Sequence, residues 1–135
     1  MRIAFAFPAR HVDTLHDRSH LASGIGSNVF QIDGVPVPLQ VPVLVFLESP
    51  PQEAKVEHPL SIRVLGPDLL ETGEPIEIPI ALDAGPGTPD GWNMTAILPI
   101  GVAFEVKEPG THSIELAVDA KTFSIPLVVV AANEV

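Results

Sequence analysis

Apolar residues along this chain recur mostly at every second position, in short runs cut by proline and glycine. Ile3, Phe5 and Phe7 alternate with Ala4 and Ala6, and the first run extends over 3–12. Further runs cover 19–22, 29–32, 39–48, 59–65, 75–82 and 92–100, with Val102, Phe104 and Val106 continuing one apolar face. The last two runs are the cleanest. Ile114, Leu116 and Val118 oppose Glu115 and Asp119, and Phe123, Ile125, Leu127 and Val129 follow. A period of two places alternate side chains on opposite faces of a strand. The pattern predicts eight or nine strands in an all-β antiparallel sandwich, Ig-like in general shape, with little or no helix.

The connections carry turn chemistry. Asp33-Gly34 is a two-residue hairpin signal, and Glu71-Thr-Gly-Glu74 and Pro109-Gly110 also turn the chain. Gly24 and Gly26 suggest a bend or bulge, and Gly101 another bend. Pro79 donates no backbone hydrogen bond, which assigns its strand to a sheet edge. Asp13–Arg18 reads as a polar turn between strands. Its alternative is a helical turn capped by Asp13 and reaching Gly24. The run 39–48 is unusual because both faces are apolar: Val41, Val43, Val45 and Leu47 on one, Pro42, Leu44 and Phe46 on the other. Such a strand is central or belongs to an interface.

Composition sharpens this picture. The chain has 135 residues, 15 of them Pro, which is about twice the usual share. That length suits one domain, and 46% hydrophobic residues with only 5% aromatics predict an aliphatic core. With no cysteine, disulfides and thiolate sites are excluded, in keeping with a cytoplasmic location. The longest apolar runs, 41–47 and 125–132, fall far short of the ~20 residues that span a bilayer, so no membrane role is expected. The first residues are too short an apolar stretch for a signal peptide and read as a strand.

The net charge of -10 and seven scattered basic residues argue against nucleic acid. The charge is uneven. Residues 1–47 are neutral overall, whereas 48–135 carry all of the net charge. A neutral apolar third beside an acidic remainder suggests a core element that also contacts protein.

The segment Ser23-Gly-Ile-Gly, the acidic middle, Pro109-Gly-Thr-His-Ser-Ile-Glu-Leu-Ala-Val-Asp119 and Ser124-Ile-Pro-Leu-Val128 follow one another in order. Together they resemble a group of small bacterial β-sandwich proteins of unassigned function. The resemblance implies a fold and brings no active site with it.

Candidate chemistry is sparse. His11, Asp13, His16, Asp17 and His20 form the one dense group of metal-ligating types. Imidazole and carboxylate suit Zn, Ni, Fe or Mn, and a helix would stack His16 on His20. The spacing matches no established metal motif, and a polar surface turn or a pH-sensitive contact explains it as well. The Gly-x-Gly at 24–26 lacks the third glycine of a dinucleotide site. Asp83 and Asp90 bracket a glycine-rich loop without the ligand spacing of an EF-hand. Trp92 beside that loop is either a core residue or, with Asp90, a ligand or partner contact. Glu74/Glu77 and Glu105/Glu108 read as solvated surface acids.

These observations lead to a noncatalytic protein without cofactor that works through protein contacts, as a homo-oligomer or with another protein. A metal-binding protein or metal-dependent enzyme using the 11–20 histidines is the first alternative. A small-ligand or carbohydrate module using the 84–92 loop is the second.

Overall fold

The computed structural model describes residues 1–132. Ten strands follow in order: β1 (Arg2–Pro8), β2 (His11–Thr14), β3 (His20–Ser23), β4 (Val29–Ile32), β5 (Val37–Ser49), β6 (His58–Leu65), β7 (Ile76–Ile80), β8 (Met94–Val106), β9 (Gly110–Val118) and β10 (Lys121–Ala131). A 3-10 turn, Pro51–Glu53, lies between β5 and β6. No helix among the described residues is long and apolar enough to cross a membrane.

The strands form a three-stranded sheet β1-β5-β8, a five-stranded sheet β4-β10-β9-β6-β7 and a two-stranded ribbon β2-β3. The two larger sheets bury their inner faces in one aliphatic core. Val41, Val43, Val45, Leu47 and Val102 come from the first, and Leu60, Ile62, Ile114, Leu116 and Leu127 from the second. Each such side chain contributes about 1.5–3 kcal/mol when fully withdrawn from water. The expected all-β sandwich is therefore the observed architecture. Its last two strands pair as the alternation required, from Val118↔Lys121 to Gly110↔Val129. β7 with Pro79 lies at a sheet edge, as its proline demanded.

Several details depart from the expectations. The first run is two strands. After Ala9, whose N–H still donates to Pro42 O at 2.9 Å, the chain leaves β5, and Arg10 N–H donates to Ser23 O at 2.9 Å, so pairing passes to β3. Within β1, the register slips between Ile3↔Leu47 and Phe5↔Phe46. Ala4 is the extra residue of this bulge. It turns Ile3 toward the core while Phe5 and Phe7 point outward, so the three no longer share a face.

Asp33-Gly34 makes no hairpin. β4 belongs to the five-stranded sheet, where it runs parallel to β10, and β5 to the other. Turn chemistry sets a change of direction there, but burial of Phe30 and Ile32 selects the sheet. β4/β10 is also the one parallel pair among the described strands. Gly101 makes no break in β8, which pairs with β5 without interruption. A Cβ there would come within 2.7 Å of the Gln40 amide nitrogen. Asp13 and Thr14 belong to β2, and residues 15–19 form the turn to β3, not a helix, closed by Leu15 N–H to Ser19 O at 2.8 Å.

Burial ranks the leucines. Leu116 is wholly buried between the sheets, whereas Leu69 is 77% exposed. Leu116→Ala should cost about 2–5 kcal/mol in chemical denaturation, and Leu69→Ala less than about 0.5 kcal/mol.

Candidate recognition surface

β5 carries apolar residues on both faces, and only one face is needed for the core. On the other, the ladder aligns Phe5, Phe46 and Ile97 across β1, β5 and β8, and next to them Phe7, Leu44 and Pro99. The rings of Phe5 and Phe46 stack at 4.1 Å between centroids, with Phe7 at 5.7 Å from Phe46. The Ala4 bulge creates this cluster, since it is what brings Phe5 onto the outer face. Phe5 remains 47% exposed and Ile97 44%.

The β2-β3 ribbon lies over one side of this face. Its Val12 and Thr14 approach Pro42, Pro99 and Gly101. Between ribbon and sheet runs an open groove of about 970 Å³, whose floor is the phenylalanine cluster with Leu44 and Ile97, and whose wall includes Arg18, His20 and Ile25. Arg18 has no carboxylate within 4.0 Å among the described residues. Glu48 at the far end is engaged by Asn93 Nδ2 at 3.0 Å and by Arg2. These two bonds hold its carboxyl below the usual range. The groove is thus apolar with a cationic wall, on a strongly acidic protein.

The ribbon also carries the sequence-nominated ligands. The ladder pairs His11 with Ser23 and His20 with Thr14. His11 and His20 consequently stand three rungs apart, roughly 10 Å, on opposite faces. His11 Nε2 lies 2.9 Å from Asp13 Oδ2, and His20 Nδ1 lies 3.1 Å from Thr14 Oγ1. Asp17 accepts from the Ser19 hydroxyl and backbone N–H, which lower its pKa and shape the turn in which His16 stands exposed.

The donors that do converge among the described residues were not singled out by spacing: Glu53, His58 and Asp119, each with a ligand-type atom within 4.8 Å of the others. Their cation is at hand. The α-amino group of Met1 donates to Asp119 Oδ2 at 2.8 Å and to Glu53 Oε2 at 3.0 Å. Ser49 Oγ donates to the same Glu53 oxygen, and His58 Nδ1 lies 3.0 Å from Asp119 Oδ1. The β9-β10 turn explains the position of Asp119. Both Asp119 and Ala120 have positive φ, 49° and 61°, the form that suits a tight two-residue hairpin and tolerates Asp. His58 is buried, and its Nε2 has no partner among the described residues. The group joins the starts of β1 and β6 to the 3-10 turn and the closing hairpin. Sequence reasoning lacked any local signal for it, because the partners lie up to 118 residues apart.

Trp92 and Asp90 lie in the 81–93 connection. Trp92 is 66% exposed, so the reading of it as a core residue between the sheets is overturned. A turn with Gly91 at φ 83° and Trp92 N–H to Pro89 O at 3.3 Å holds it outside, and Met94 takes the buried position instead. Asp90 is exposed beside it, while Asp83 lies 3.8 Å from Lys55.

No family model, curated protein or solved structure matches this chain.

The amine cluster generates a pH dependence of stability. Hydrogen bonds from the Met1 amine, then from His58, lower the Asp119 pKa; the amine and Ser49 do the same for Glu53. Burial pushes the amine down, but its two carboxylate partners outweigh this and raise it above 8.0. The carboxylates' contribution is present above their ordinary pKa, about 4, and lost as pH falls through the lowered one. The amine's contribution is present below 8.0 and lost as pH rises through its raised value. Thermal unfolding across pH should show wild type losing Tm on both flanks. Asp119→Asn should lower Tm most near neutrality and flatten both flanks; equal Tm loss at every pH would contradict this assignment.

Proposed function

We propose that this protein is a noncatalytic β-sandwich that acts through protein contacts, with a second copy of the chain as partner and the outer face of β1-β5-β8 as the contact surface. The observation that supports the reading is the exposed phenylalanine cluster on the groove floor, built on the strand whose two faces are both apolar. Large apolar surfaces rimmed by polar residues mark contact sites on soluble proteins. Aromatic residues in such positions supply most of the energy of an interface. The charge distribution agrees. The face belongs largely to the neutral first third of the chain, where like-charge repulsion between two acidic copies is smallest. The absence of cysteine fits a reducing compartment, and a cytoplasmic location is part of the proposal.

Mass measurement by light scattering tests this. Wild type should exceed the single-chain mass of 14.3 kDa as concentration rises through the micromolar range, and Phe5→Lys with Ile97→Lys should return it to 14.3 kDa. Both positions are about half exposed, so far-ultraviolet circular dichroism should be unchanged. Wild type that stays a single chain throughout would refute the reading.

A further inference from the structure

A second apolar feature protrudes from the other end of the molecule. Between β6 and β7 the sequence Asp68-Leu-Leu-Glu71 forms a tip whose two leucines are 77% and 67% exposed. These are the two most exposed large hydrophobic residues of the described chain. The tip is well held. Leu69 N–H donates to Gly66 O at 2.9 Å, Gly66 N–H to Leu70 O at 2.9 Å, and Leu70 N–H to Asp68 Oδ1 at 3.1 Å. Thr72 ties its base to Glu105 O on β8 at 2.8 Å. Leu69 has φ 65°, a left-handed conformation that branched-chain side chains rarely adopt. Asn or Gly would suit that backbone better, so leucine there is a choice against local preference.

From the architecture and these contacts we infer that the Leu69-Leu70 tip of one copy docks in the groove of the next, joining copies head to tail. The inference rests on the proposed contact face and names what it receives. Shape and charge both fit. Two leucines meet a floor of Phe5, Phe46 and Ile97. The flanking acid Asp68 meets the cationic wall, where Arg18 has no carboxylate partner among the described residues, while Glu71 already pairs with Arg63 at 3.5 Å. Glu48, the acid at the groove, is already engaged by Asn93 and Arg2 and so repels an acidic tip little. A tip cannot reach the groove of its own chain. It anchors at Glu105, eight residues along β8 from Ile97, roughly 27 Å away at strand rise. Tip and groove are different patches, so the contact is heterologous and adds copies in series, not as a closed symmetric pair. The contact is small, which places it among weak, concentration-dependent associations.

Two variants separate the alternatives. Leu69→Asn with Leu70→Asn removes the tip while suiting its backbone, and Phe5→Lys with Ile97→Lys removes the groove. By sedimentation from ~1 µM to ~1 mM, a span that covers weak association, wild type should grow with concentration and each variant alone should remain a single chain. Mixed in equal amounts, the two variants retain one intact tip and one intact groove between them. They should form a pair of chains and nothing larger. If the tip variant associates as wild type does, the inference fails while the contact face stands, as a symmetric pairing through the groove alone. A mixture that stays monomeric also overturns it. Wild type that never associates removes both readings.

Discussion

The structure depends on β5. This strand pairs with β8 along its whole length and with β1 over Val43–Glu48, and Val41, Val43, Val45 and Leu47 of its inner face are buried in the common core. Backbone pairing on both edges leaves its outer face as the only one that water reaches. That outer face is apolar: Pro42, Leu44 and Phe46. A sandwich needs one apolar face per sheet, and here one sheet has two. The ribbon covers part of the excess near Pro42 and Pro99, and the groove is what it leaves uncovered. The candidate surface is thus a consequence of how the core strand is written.

Two local backbone devices shape this constraint into the candidate surface. The Ala4 bulge changes the phase of β1, so that Ile3 serves the core and Phe5 serves the groove. A strand without the bulge would send both to the same side, and the ring of Phe46 would lose its stacking partner. At the start of β1, the paired positive-φ residues Asp119 and Ala120 place a carboxylate under the Met1 amine and against His58. That cluster fixes the start of β1 against three other elements. The position of Phe5 is therefore set from both directions, by its register with β5 and by the anchored strand start.

Most of the fold was legible because it follows from period and punctuation. The closing hairpin, the edge position of the Pro79 strand and the double apolar character of 39–48 all come from residues that act locally. What escaped depended on information held elsewhere in the chain. Asp33-Gly34 specifies a turn, but not that the next strand joins the other sheet. The phase change at Ala4 has no sequence mark, since Ile3, Phe5 and Phe7 alternate without fault. Trp92 reads as core by size, yet Met94 two residues on holds the buried position. The candidate surface was half visible: the neutral first third and the apolar strand pointed to it, whereas the aromatic stack required register. The histidines at 11, 16 and 20 illustrate the converse, since closeness in sequence puts His11 and His20 on opposite sides of a ribbon.

The central claim is that the outer face of β5 is a contact surface between copies. Carbon–proton spectra of the phenylalanine rings and leucine methyl groups, recorded on dilute and concentrated protein, address it residue by residue. The account requires signals of Phe5 and Phe46 to move with concentration while the core signals of Leu116 and Leu127 stay fixed. Phe5 and Phe46 signals that are identical at both concentrations would contradict it.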